Sequence, residues 1–147
     1  MGVYRMKIIS LYDTVAIAKN WQFFTDGVKA ILKHSAKDTN FTTIYNDLLG
    51  QKIFMWVIFI DNVYSGFFTA KFRYIPDGDG IMTVIQCFLK PTVPKEILGK
   101  VSEHINEIAK KANCKYIKCY SLRTGMEKRI KAFGFNPSYL EFIKEVT

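Results

Sequence analysis

The sequence predicts one α/β domain, built on a mixed sheet in which an antiparallel meander is followed by a β-α-β unit, with helices on both faces. Three observations support this class: helical periodicity in the first third, three apolar runs separated by short turns, and a long amphipathic helix directly followed by another strand. With 147 residues, the chain has the size of one domain. We therefore expect residues 1–147 to form a single domain.

The first third predicts a strand and two helices. Met6–Leu11 has the length of a short strand, and Asp13 can cap the next helix because its carboxylate accepts from first-turn amides. A helix over 14–35 is predicted from apolar residues at steps of three and four, namely Ile17, Trp21, Phe24, Val28 and Ile31. A second helix begins at Asn40, and we expect Gly50 to end it in a left-handed conformation.

The middle of the chain predicts an antiparallel meander. Residues 53–60 are apolar and rich in β-branched and aromatic types, which indicates a buried strand. The Asp-Asn pair at 61–62 tolerates the positive φ that a two-residue hairpin requires, so 63–74 is the returning strand. The loop at 75–80 then leads into a third strand over 81–89.

The last part predicts a β-α-β unit. A helix over 94–112 should bury the stripe Leu98, Val101, Ile105, Ile108 and Ala112, and a strand over 116–121 follows it. We expect this strand to lie parallel to the one before the helix. Residues 124–127 form a capping box for a short helix that ends at Gly134, and 135–146 supply a final strand or hairpin.

Composition limits the partners and the location. The net charge of +8 favours anionic partners without choosing among nucleic acid, phosphorylated cofactors and acidic surfaces. A nucleic-acid partner is disfavoured, because no RNA-binding, zinc-finger or basic-helix motif is present and the aromatic residues fall in predicted cores. No apolar run has the roughly 18 residues of a membrane helix. We expect a cytoplasmic protein with three free cysteines and no metal site.

Two short motifs add to the order of elements. Val63-Tyr64-Ser65-Gly66-Phe67 lies in the strand after the first hairpin, and Ala132-Phe133-Gly134-Phe135 ends the last predicted helix. With these motifs in this order, the chain resembles a divergent member of the GNAT N-acetyltransferase superfamily over nearly its whole length.

The resemblance implies where acetyl-CoA would bind. In this superfamily the fourth and fifth strands splay apart, and the pantetheine arm lies between them. The backbone of the fourth strand would pair with that arm, and the pyrophosphate would lie at the start of the long helix. The cofactor-binding residues implied are Gln86, Cys87, Phe88, Leu89, Lys95, Gly99 and Arg123.

The pyrophosphate loop departs from the family pattern. Pro94 stands where Gln or Arg is usual, Lys95 and Ile97 replace the first two glycines, and Gly99 remains. Lys95 could replace part of the lost binding as a point charge beside the helix.

The catalytic positions also depart from the pattern. The family's tyrosine acid would fall at Ile130, so Tyr120 and Tyr139 are the candidate proton donors. The fourth strand carries no carboxylate, which leaves Gln86 as its candidate catalytic side chain and requires a water relay to deprotonate the amine.

Two functions remain open on the sequence. The first is an N-acetyltransferase that transfers acetyl from acetyl-CoA to an amine of a small molecule or a protein. The alternative is a non-catalytic binding, structural or assembly protein of the same fold, for example one encoded by a phage. It would have lost cofactor binding, would bind a protein partner and could lie in a virion.

Overall fold

The fold is described by a computed structural model that covers residues 4–11, 13–32, 41–76 and 78–119. Its strands are β1 (Met6–Leu11), β2 (Phe54–Ile60), β3 (Val63–Tyr74), β4 (Gly80–Leu89) and β5 (Cys114–Cys119). Its helices are α1 (Thr14–Leu32), α2 (Phe41–Leu49) and α3 (Glu96–Lys111).

All five strands belong to one sheet, in the order β1-β2-β3-β4-β5. The first three pairings are antiparallel, and β4 pairs with β5 in parallel. Because α3 connects these two parallel strands, the predicted meander and β-α-β unit are confirmed. Helices cover both faces of the sheet, which we call the α1 face and the α3 face.

The α3 face is covered by one amphipathic helix. The residues of α3 that are buried recur at every fourth position, and they are Ile97, Val101, Ile105 and Ala109. They pack on Ile58, Phe68 and Met82 of the sheet. The predicted stripe is confirmed at Val101 and Ile105, and the half-buried Ile108 also packs against this core. Leu98 and Ala112 are half-buried at its edges, because a row spaced by four rotates the contact face toward Ile97.

The α1 face is covered by α1 and α2 together. Ile17, Phe24 and Val28 of α1 are buried with two residues of α2, Ile44 and Leu48. Trp21 is half-buried and its ring lies 5.0 Å from that of Tyr45, centroid to centroid. The predicted stripe of α1 is confirmed at these positions, while the side chain of Ile31 lies outside the described residues.

The helix ends show one confirmed and one wrong prediction. The Val15 amide donates to Oδ1 of Asp13 at 3.0 Å, so Asp13 is the predicted cap. The left-handed residue after α2 is Gln51 (φ 55°) rather than Gly50. Gly50 still donates helically to the Asn46 carbonyl at 2.8 Å, and the chain reverses one residue later, where the Lys52 amide donates to Asp47.

The turn between β2 and β3 is the predicted two-residue hairpin. Asp61 (φ 50°) and Asn62 (φ 65°) both adopt the positive φ of a type I′ turn. β5 begins at Cys114, two residues before the predicted start at Tyr116, because Cys114 already pairs with Gly80. The predictions for residues 120–147, including the capping box and the final strand, lie outside the described residues.

Candidate active site

The candidate site lies along β4 beyond its described pairs with β5. These pairs run from Gly80 with Cys114 to Val84 with Cys119, which is the last described residue of the chain, and β4 continues to Leu89. The family resemblance predicts that the two strands separate beyond this point. We call the space on the β5 side of residues 85–89 the gap, and these residues the open edge of β4.

A β-bulge bends β4 where the gap begins. Ala70 pairs with Val84 and Thr69 pairs with Gln86, so Ile85 is the extra residue on β4. A bulge bends the strand that carries it and increases its local twist. The bend therefore lies directly after the last described pair between β4 and β5.

One hydrogen bond shows in which direction the backbone N–H and C=O groups of the open edge point. The Lys90 amide donates to the Ser65 carbonyl at 2.9 Å, so the backbone groups of Lys90 point toward β3. Successive residues of an antiparallel strand alternate in direction, which directs Phe88 toward β3 as well. The amides and carbonyls of Cys87 and Leu89 consequently point into the gap.

Gly66 on β3 allows the two strands to approach closely beside the gap. A Cβ atom at this position would overlap the carbonyl oxygen of Phe88, which is a backbone atom and cannot rotate away. This contact gives a physical reason for glycine in the Ser65-Gly66-Phe67 motif.

Gln86 is held by Thr69, a residue that the sequence reasoning missed. The Thr69 hydroxyl donates to the side-chain Oε1 of Gln86. It also accepts from the backbone N–H of Gln86, at 3.1 Å. Both residues are buried on the α1 face. The available signal was a lone hydroxyl within the apolar run Phe67-Phe68-Thr69-Ala70. The bonds fix the orientation of Gln86 at the bulge, and its catalytic role stays a prediction.

The start of α3 offers partial binding groups for an anion. Lys95 has helical dihedrals (φ −59°, ψ −33°) and an exposed side chain. The amides of Lys95 and Glu96 have no hydrogen-bond partner among the described residues, whereas the Ile97 amide donates to the Pro94 carbonyl at 3.1 Å. Gly99 is the fourth residue of the helix, so it lies within α3 rather than in a loop before it.

The three thiols of β4 and β5 have raised pKa values. Cys87 has solvent exposure, yet desolvation by the surrounding protein raises the pKa of its thiol to about 11, with the charge of Cys119 as the second cause. Desolvation also raises the pKa of Cys119 and of Cys114. A thiolate nucleophile is therefore disfavoured at all three positions.

The structure brings the predicted residues Gln86, Cys87, Phe88 and Leu89 together as the open edge of β4. A turn closed by the Val93 amide and the Lys90 carbonyl, at 3.0 Å, joins this edge to the start of α3 and so to Lys95. Tyr120, Arg123 and Tyr139 lie outside the described residues, and their roles stay predictions.

Two sequence comparisons found no match: neither a protein-family model nor a curated protein is similar to this chain. Within the described residues, no helix has the length and apolarity to span a membrane.

Solved structures, in contrast, match over almost the whole chain. A ribosomal-protein-alanine N-acetyltransferase from Brucella melitensis biovar Abortus 2308 matches with a TM-score of 0.74 and 11% identity, covering 96% of this chain and 99% of its own. An aminoglycoside N-acetyltransferase in complex with CoA matches at 0.66 and 13%, covering 98% and 97%.

A glucosamine-6-phosphate N-acetyltransferase from Arabidopsis thaliana matches with a TM-score of 0.67 and 10% identity, covering 97% of this chain and 99% of its own. At these identities the likeness concerns the fold. The chain therefore has the α/β fold of the GNAT N-acetyltransferases, as its resemblance to them implied.

Proposed function

We propose that the protein is an N-acetyltransferase that uses acetyl-CoA to acetylate an amine. The observation that carries this proposal is the bulge at Ile85, beyond which the backbone groups of Cys87 and Leu89 point away from β3. The structural likeness supports it, because one matching aminoglycoside N-acetyltransferase was solved with CoA and others act on amine-bearing acceptors according to their names.

The residues of the gap fit a pantetheine arm. Such an arm contains amide groups, and the backbone groups of Cys87 and Leu89 that point away from β3 can pair with them as a further strand would. The start of α3 fits a pyrophosphate through the open amides of Lys95 and Glu96 and the Lys95 ammonium. The Glu96 carboxylate opposes an anion there, so we expect weaker phosphate binding than a glycine-rich loop would give.

Acetyl-CoA, when bound, supplies an acetyl group activated as a thioester. The chain contributes mainly position: the open edge orients the reacting carbonyl, and a gap-facing amide can polarise its oxygen. The bonds between Thr69 and Gln86 hold the bulge that aims this amide. Tyr120 and Tyr139 remain the proposed donors of the proton that the leaving thiolate takes up.

In this proposal the acceptor amine reaches the gap from the α1 face. Lys95 and the rest of α3 lie on the other face, where the phosphates of the cofactor would be held. Since β4 carries no carboxylate, water must take the proton from the amine before it attacks.

A proline substitution in β4 tests the proposal. Leu89→Pro removes the gap-facing amide without removing a bond to β3, whereas the control Leu89→Ala keeps that amide and trims the side chain. We expect calorimetric titration with acetyl-CoA to give at least about tenfold weaker binding for Leu89→Pro than for Leu89→Ala.

Two results would contradict the proposal. One is the absence of heat for the unmodified protein at about 1 mM acetyl-CoA, a concentration that detects even weak complexes; this would favour the non-catalytic alternative. The other is equal affinity of the two variants, which would remove the open edge from the binding site.

A further inference from the structure

Two cations lie side by side on the uncovered part of the α1 face. Along β3, Ala70 and Phe72 point into the core on the α3 face. Because side chains alternate along a strand, Lys71 and Arg73 point to the α1 face, where both are exposed. We call these two residues the basic pair.

The cross-strand partners of the basic pair extend this surface onto β4 and β5. Lys71 pairs with Thr83, which in turn pairs with Lys118 on β5. Arg73 pairs with Ile81, which pairs with Tyr116, a residue that is 52% exposed. The face therefore presents a cationic row beside an exposed aromatic ring, across three strands.

This row lies next to the bulge of β4. Thr83 is two residues before Ile85, the extra residue of the bulge. Directly paired residues have Cβ atoms about 5 Å apart, so the Lys71 side chain is long enough to extend over Thr83 toward the bulge. It does so from the α1 face, the side from which the acceptor approaches in the proposed function.

The charge of the basic pair is not balanced nearby among the described residues. Neither Lys71 nor Arg73 forms an ion pair there. Asp79, in the loop before β4, lies 4.0 Å from the Lys115 ammonium and is thus partly neutralised. Two like charges on neighbouring positions of one face repel each other, and a bound anion would relieve that repulsion.

We propose that the acceptor is an amine that also carries an anionic group, a phosphate or a carboxylate, which Lys71 and Arg73 hold. This inference rests on the proposed acetyltransferase function, whose gap defines the acceptor side. Arg73 can bind such a group through two parallel hydrogen bonds, and Lys71 adds a point charge nearer the gap. A polycationic amine would be repelled from the same face.

The test compares glucosamine 6-phosphate with glucosamine, which differ only in the phosphate. Each is titrated calorimetrically into the full chain, into the Lys71→Glu/Arg73→Glu variant and into the control pair Lys7→Glu/Lys29→Glu. Lys7 and Lys29 are exposed cations away from β3, so the control makes the same change in net charge. Circular dichroism confirms that both variants fold.

The expected result is at least about tenfold tighter binding of the phosphorylated amine by the unmodified chain and by the control. This preference should vanish in the basic-pair variant and shrink between about 50 mM and 500 mM salt. Equal binding of both amines, or a preference that survives the double charge reversal, would overturn the inference.

The failure of the proposed function is separately visible. Acetyl-CoA binding and amine-dependent release of free CoA thiol are measured on the same samples. If the protein prefers the phosphorylated amine but does not bind acetyl-CoA, the anion site is supported and the acetyltransferase function is contradicted. If acetyl transfer occurs at equal rates on both amines, the acetyltransferase function is supported and the anionic acceptor is excluded.

Discussion

At the scale of single residues, Thr69 is the side chain on which the geometry of β4 depends most. Its hydroxyl is buried and serves both the amide and the side-chain oxygen of Gln86. Buried polar groups that lose their partners cost about 1–3 kcal/mol each. The hydrogen bonds between Thr69 and Gln86 therefore stabilise the bulge only while both residues are present.

We expect Thr69→Val to lower the free energy of unfolding by about 2–3 kcal/mol, because it leaves two groups of Gln86 without a partner. Thr69→Ser keeps the hydroxyl and serves as the control. Urea unfolding of Thr69→Val, of Gln86→Leu and of the double variant Thr69→Val/Gln86→Leu gives the coupling free energy between the two residues. A double variant that loses the full sum of the two single losses would show that the residues act independently.

The sequence could predict that residues 81–89 form a strand but not the hydrogen bonds of Gln86. The candidate role of Gln86 followed from the family resemblance and stays a prediction. The partner of Gln86, Thr69, lies 17 positions away, and only the β3–β4 register brings the two together. A single sequence contains no signal for that register beyond the apolar alternation.

At the scale of elements, the closeness of β3 and β4 decides whether the gap keeps its shape. Gly66 is the contact point, since a side chain there would collide with the Phe88 carbonyl oxygen. Phe88 and the neighbouring Phe67 also pack against α1, where a Cβ at Gly27 would lie 2.6 Å from the Phe88 ring. The strand pair and the helix are therefore fitted to each other around the gap.

We expect Gly66→Ala to lower the free energy of unfolding by about 2 kcal/mol or more, because the strands must separate to admit a methyl group. Arg73→Ala, an exposed change on the same strand, should cost less than about 0.5 kcal/mol. Thermal unfolding followed by circular dichroism measures both. A Gly66→Ala protein as stable as the Arg73→Ala protein would show that the two strands can move apart freely.

Most element bounds could be predicted because local chemistry determines them. β1 and β3 begin and end at the predicted residues, and the Asp61-Asn62 turn has its required positive φ. The end of α2 was predicted wrongly because the Gly50 amide makes one more helical hydrogen bond, to the Asn46 carbonyl. Gln51 then adopts the left-handed conformation that was expected of Gly50. The bulge at Ile85 could not be predicted, since an extra residue inside an apolar strand leaves no distinct pattern.

At the scale of the whole molecule, the sheet separates two faces with different proposed binding roles. α3 covers one face and presents Lys95 at its start, and α1 with α2 covers part of the other. The basic pair Lys71 and Arg73 stands on the uncovered part of that second face. The net charge of +8 does not by itself identify a partner. Under the two proposals, Lys95 serves the cofactor, and Lys71 and Arg73 serve an anionic acceptor.

The central claim is that the open edge of β4 binds acetyl-CoA, and amide NMR of the isotope-labelled protein tests it most directly. On titration with acetyl-CoA, the amides of Cys87 and Leu89 should shift and become protected from hydrogen exchange. The amides of Phe88 and Lys90 already point toward β3 and should change little. Saturable binding that leaves the Cys87 and Leu89 amides unshifted and unprotected would contradict the account.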